Sequence, residues 1–172
     1  MDKSLEWILT NTVKAELIAW LDAHPEAFEE TLKLSLTNNQ PYAWRASWLL
    51  WSCMKENDPR VQPYVAGIAG SLSVRNDEHQ REFLIILRKM EIPEESEGLL
   101  FDVCTRVWEK TGNKPALRLN AFKMLVKIAA KHPELQQEMK FLTQPHYTGS
   151  LSPAAIKSIS RLLKRCVTEN AR

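Results

Sequence analysis

Glycine is scarce, five residues in 172. Gly67, Gly70, Gly98, Gly112 and Gly149 form neither a GxGxxG turn nor a Walker loop, which excludes the glycine-rich phosphate cradles. Cysteine is scarce too: Cys53, Cys104 and Cys166 make an odd set without a CxxC pair, so reduced thiols packed as small hydrophobes are expected. The four histidines lie far apart, with no HExxH, no Cys₂His₂ spacing and no GxSxG elbow nearby. No metal, no cofactor and no catalytic residue is therefore expected. A Cys–His dyad assembled in space, from Cys53 or Cys104 with His79, stays open. No apolar run approaches the ~18 residues of a membrane span. The opening residues, MDKSLEWILT, lack an apolar stretch followed by a small-residue cleavage site. A cytoplasmic protein without membrane contact is the expectation.

What is present suits a globular fold. Hydrophobic residues make up 44% and charged residues 26%, and the length fits a single domain over 1–172. Strict alternation is rare, whereas apolar residues recur at helical spacing almost throughout. Examples are Leu17, Trp20 and Leu21; Trp44, Trp48 and Trp51; Phe83, Leu84 and Leu87; and Ile156, Ile159 and Leu163. The longest stripe is Leu117, Ala121, Met124, Leu125 and Ile128. Prolines fall at helix starts, where a missing N–H costs nothing: Asp58-Pro59 and Ser152-Pro153 read as an N-cap followed by Pro. The chain reads as all-α.

The helices repeat. Pro25, Pro59, Pro93 and Pro133 are spaced by 34, 34 and 40 residues. A basic residue opens every alternate helix, at Lys14, Arg45, Arg81, Arg118 and Lys157. Two interleaved series of similar period predict about five antiparallel helix pairs. Polar turns at 37–40, 73–76, 111–114 and 144–150 are the expected boundaries between pairs, the last an exposed loop.

The segments PYAWRASWLLWSC (41–53), DEHQREFLIILRKM (77–90) and PALRLNAFKMLVKIA (115–129) each resemble the second helix of a HEAT unit. On these residues the chain resembles HEAT/armadillo-like repeat proteins. Where such units carry an Asp before the Arg, this sequence has Asn39, Asn76, Asn113 or Ser152. The period of 34 also fits tetratricopeptide units, but their small-residue signature is missing. The resemblance implies a right-handed α-α superhelix of stacked pairs with a groove that binds a protein partner. It also implies that the recurrent basic series forms a polar ladder between neighbouring repeats.

Charge is unevenly spread. Residues 1–110 carry 12 Lys and Arg against 18 Asp and Glu, and residues 111–172 carry 11 against 3. Lys123, Lys127 and Lys131 form one basic stripe, and Lys157, Arg161 and Lys164 a second. Lys123, Lys127, Lys157, Arg161 and Lys164 are the candidate partner-binding residues, facing acidic groups on a protein. A solubilising outer face on the last repeat is the plainer alternative. Nucleic-acid binding through the same residues is the other functional reading. Some HEAT-like proteins are DNA glycosylases that use an Asp among aromatics; no motif of theirs is matched here, though a pocket gathering Asp, His or Trp would favour the comparison. The row Trp44, Trp48, Trp51 is read as core filling, an exposed aromatic shelf being the alternative.

Overall fold

The computed structural model describes the backbone of residues 3–170 and the side chains of 3–167. Eleven α-helices and three short 3₁₀ turns account for its regular structure, and no strand occurs among the described residues. The helices fall into two compact units, residues 1–91 and 92–172.

The first unit holds α1 (Leu5–Asn11), α2 (Lys14–Ala23), α3 (Ala27–Ser35), α4 (Tyr42–Cys53), α5 (Val65–Ser71) and α6 (Asp77–Arg88). Local chemistry sets several of these starts. Ser4 Oγ accepts from Trp7 N at the head of α1, and Asn76 Oδ1 accepts from His79 N at 2.9 Å at the head of α6. Glu29 and Glu30 occupy the first turn of α3, where negative charge complements the helix dipole. Asp58 does not cap an α-helix as its sequence context suggests. Its buried carboxylate instead closes a turn, accepting from Lys55 N, Arg60 N and the Arg60 guanidinium at 2.7–3.2 Å. Arg60 beside it holds that carboxyl down to about 2, and the guanidinium lies 3.6 Å over the Phe28 ring of α3. Asn57 tolerates φ 51 in the same turn and binds the end of α6: its N–H donates to Lys89 O, and its side-chain oxygen accepts from Glu91 N.

Helix α4 packs on α3, and also on α6 and α2. Its fully buried face is Ala43, Ala46, Leu49 and Leu50, with Ser47 among them. Small residues at i, i+3 and i+4 let the neighbouring helix approach closely. The core around them is closed by Leu32, Ile68, Phe83, Leu84 and Leu87.

The second unit holds α7 (Glu94–Glu109), α8 (Pro115–Ala129), α9 (Gln136–Phe141), α10 (Pro145–Thr148) and α11 (Pro153–Asn170). Pro115 opens α8, and Ser152 Oγ caps α11 by accepting from Ala155 N. Leu117, Ala121, Met124, Leu125 and Ile128 form the buried stripe of α8 that their spacing predicts, and beside it the Phe122 ring lies 4.8 Å from that of Trp108 on α7. The segment 144–150 is not an open loop. It forms the single turn α10, whose Tyr147 carbonyl accepts from Arg118 Nη2 at 2.5 Å. Gly149 follows where a Cβ would meet Pro145 O at 2.8 Å.

Consecutive helices pack in pairs as α3–α4, α5–α6, α7–α8 and α9–α11, with the α10 turn in the last connection, while α1 and α2 both pack on α4. The polar turns at 37–40, 73–76 and 111–114 therefore join the two helices of one pair, rather than separating pairs. Segments 41–53, 77–90 and 115–129 are second helices, as their resemblance to HEAT units implies.

Candidate functional site

The tryptophan row is not core. Trp44, Trp48 and Trp51 are each only half-buried, whereas the small residues Ala43, Ala46 and Ser47 take the buried face of α4. The rings line a cleft of about 290 Å³ in the first unit. Helix α1 contributes Leu9 to it and α2 contributes Lys14 and Leu17, while α6 supplies Arg81, Glu82 and Ile85. The cleft is thus built chiefly on α2, α4 and α6, which carry the first three members of the basic series.

Three members of that series stand here. Lys14 Nζ lies 5.1 Å from the Trp48 ring centre and the Arg45 guanidinium 5.2 Å from that of Trp44. At this range the ring quadrupole attracts each cation and helps to hold it in place. Arg45 also donates from Nη1 to Leu9 O at 3.1 Å, so it ties α4 to α1. Arg81 binds one oxygen of Glu82 through Nε at 3.1 Å and Nη2 at 2.8 Å. The other Glu82 oxygen accepts from the Trp51 indole N–H. Glu82 is 1% exposed, so this carboxylate is an internal anchor that fixes Arg81 and Trp51. Trp48 and Trp51 meet edge to face with ring centres 6.1 Å apart. Neither Glu82 nor the exposure of the rings stands out in the sequence, since α4 is apolar round most of its circumference.

His79 supports the same helix from behind. Its Nε2–H donates to Ser35 O at 2.8 Å, and Nδ1 accepts from Gln40 Nε2 at 2.9 Å. Gln40 Oε1 in turn accepts from Trp44 N at the start of α4. Both ring nitrogens are committed, so no Cys–His dyad forms through His79. Burial, aided by the charge of Arg75, pushes its pKa down to about 4. Burial pushes the thiols of Cys53 and Cys104 up, to about 11 and about 12, the opposite of activation. None of Cys53, Cys104 and Cys166 is joined in a disulfide.

The basic series does not behave as one equivalent ladder. Arg118, 1% exposed, donates to Trp108 O at 2.9 Å and to Tyr147 O, joining α8 to α7 and α10. Lys157 is exposed on α11. Of the candidate partner-binding residues, Lys123 and Lys127 are half-buried on α8, whereas Lys157, Arg161 and Lys164 are exposed on α11. Helices α8 and α11 pack together, which brings the two stripes onto one unit. A polar cluster lies elsewhere in that unit. The buried Glu97 of α7 accepts from Lys131 and, at 2.6 Å, from His132 Nε2. Burial alone would raise the Glu97 pKa, but these partners hold it below the usual range, and the Glu97 bond raises that of His132.

No helix among the described residues is long and apolar enough to cross a membrane. No group of three or more His, Cys, Asp or Glu is placed to hold a metal ion among them. No curated protein and no solved structure matches the chain. The profile of the HEAT repeat domain matches residues 1–166, nearly the whole length, and with the helix pairs above it in view the chain belongs to the HEAT repeat domain family.

Proposed function

We propose that the protein is a binding module for a protein partner. The tryptophan cleft on α4 seats the partner's anchor residues, and the basic face of Lys123, Lys127, Lys157, Arg161 and Lys164 makes a second contact with acidic groups. The observation that carries this role is the position of Trp44, Trp48 and Trp51: three large rings left half-exposed around a concave site. Buried aromatic anchors and their pockets dominate interface energetics. Helical repeat scaffolds of this family present such surfaces as their working faces.

A photo-crosslinking residue placed at Trp48 is expected to yield a discrete protein adduct in the cells that make the protein. The same residue at Val74, 69% exposed and away from the cleft, is expected to yield none. No adduct at 48, or the same adducts at both positions, would contradict the role. For the basic face, Lys157→Glu with Arg161→Glu, both exposed on α11, is expected to weaken recovery of that adduct's partner while leaving the melting temperature unchanged. A parallel fall in melting temperature would make these residues structural.

Nucleic-acid binding through the second unit is the alternative, favoured by the exposed cations of α11. Its mark would be affinity for labelled duplex DNA or single-stranded RNA that falls steeply with salt, as counterions are released. The glycosylase-like form of this alternative finds tryptophans gathered with a carboxylate, Glu82. Both oxygens of that carboxylate are already bound to Arg81 and Trp51.

A further inference from the structure

The cleft carries a charge pattern that specifies its occupant more closely, on the premise that it is a partner-binding site. Lys14, Arg45 and Arg81 bring three cations to it and Glu82 a single anion, already matched internally. A foreign ammonium or guanidinium would meet these like charges on tryptophan faces that already hold cations. A carboxylate would meet cations pre-positioned by the rings and by Leu9 O, with less ordering to be done on binding. The surrounding unit points away from a long polyanion: residues 1–91 carry ten Lys and Arg against thirteen Asp and Glu. A nucleic-acid strand tracking across it would run from an island of positive charge into net negative surface. The volume, about 290 Å³, lies at the lower end of ligand sites, roughly 300–1,000 Å³. It suits one bulky side chain with its neighbours rather than a long segment. Leu17, Ile85 and the ring of Trp48 supply the apolar wall for that side chain.

We propose that this cleft recognises a short acidic peptide segment of the partner, in which a bulky apolar side chain seats between Trp48, Leu17 and Ile85 while a flanking carboxylate meets Lys14 and Arg45. The acidic residue sets orientation and the apolar residue supplies most of the affinity.

The test is fluorescence anisotropy with four fluorescein-labelled probes on the full chain. They are the peptide Glu-Asp-Leu-Phe-Asp-Glu, the same with every acid replaced by Lys, the same with Leu-Phe replaced by Ser-Ser, and a six-nucleotide deoxythymidine oligomer. Saturable binding of the first is expected, with no binding of the lysine peptide and at least ~5-fold weaker binding of the other two, a difference near 1 kcal/mol. Lys14→Glu and Trp48→Ala are each expected to weaken the first peptide by a similar factor. Lys14 is exposed, so its variant keeps the test valid should Trp48→Ala unfold. Lys157→Glu, in the other unit, is expected to leave the peptide unaffected. No saturable binding of the acidic peptide, equal binding of the lysine peptide, or preference for the oligomer would overturn the proposal. A crosslink from position 48 to a basic segment of a partner would also overturn it, while leaving the protein-binding role standing.

Discussion

Arg118→Met is expected to lower stability by roughly 3 kcal/mol, because it removes the two donors that reach the carbonyls of Trp108 and Tyr147. Methionine keeps much of the side-chain length but can bind neither acceptor. A buried carbonyl left unmatched costs about 1–3 kcal/mol, in full for Trp108 O and in part for the half-buried Tyr147 O. The guanidinium also lies 4.4 Å from the Trp108 ring centre, an attraction lost in the same substitution. Relief of the arginine's own desolvation, which lowers its pKa, offsets part of the loss and keeps the sum below the upper limit. At roughly 2–4 °C per kcal/mol for a chain of this size, the melting temperature should fall by about 6–12 °C. Lys157→Met removes the corresponding member of the same sequence series from an exposed site, so a change within about 0.5 kcal/mol is expected. Thermal melts of the two variants side by side decide the matter. Equal, small shifts would show that Arg118 does not tie α8 to α7 and α10.

Acidification should weaken the first unit through His79. The folded imidazole is held neutral, with its pKa lowered from 6.5 to about 4 by burial first and the charge of Arg75 second. Above pH 6.5 both folded and unfolded forms are neutral, and the full contribution of the buried ring is present. As pH falls below 6.5, the unfolded chain takes up a proton that the folded chain refuses. Stability is therefore lost between about pH 6.5 and about pH 4, by an amount on the order of 3 kcal/mol. Protonation would also place a proton on Nδ1 against the Gln40 amide that it now accepts from. His132 contributes with the opposite sign: its raised folded pKa adds stability that is present at low pH and lost as pH rises through that value. The informative comparison is thus wild type against His79→Gln, whose amide can still donate to Ser35 O. Denaturant unfolding at pH 7 and pH 5 should show a loss for the wild type that is absent or reversed in the variant. The same pH dependence in both proteins would remove His79 from this role.

The two α4 stripes show where the sequence was legible and where it was not. Trp44, Trp48 and Trp51 stand at i, i+4 and i+7, and large apolar rings at helical spacing suggest a core face. Ala43, Ala46, Ser47 and Leu50 stand at i, i+3, i+4 and i+7, an equally regular stripe, and this is the one buried. Periodicity cannot choose between two apolar faces of one helix. The choice is made in packing: small side chains permit a neighbouring helix to approach closely, and theirs is the face that is buried. In α8 the stripe stands opposite Lys123 and Lys127, so it was readable directly, with Phe122, Val126 and Ala129 buried beside it. Pro115 and Ser152-Pro153 marked helix starts for a similar local reason, whereas Asp58-Pro59 marked a turn. The basic series was visible as a repeat, but its members' roles depend on partners distant in sequence. Leu9 O receives Arg45, Glu82 receives Arg81, and Trp108 O with Tyr147 O receives Arg118. Glu82 itself carried no motif; only the fold brings it to Trp51, 31 residues away.

The position of the α4 tryptophans is tested most directly by fluorine NMR on protein labelled with 5-fluorotryptophan, each of the six resonances assigned by a Trp→Phe variant. Trp44, Trp48 and Trp51 are expected to show a solvent isotope shift between H₂O and D₂O and to move on addition of the acidic peptide. Trp108, fully buried and bound to Leu142 O, is expected to do neither. Isotope shifts for Trp44, Trp48 and Trp51 as small as that of Trp108 would return these rings to the core and remove the cleft on which the binding role rests.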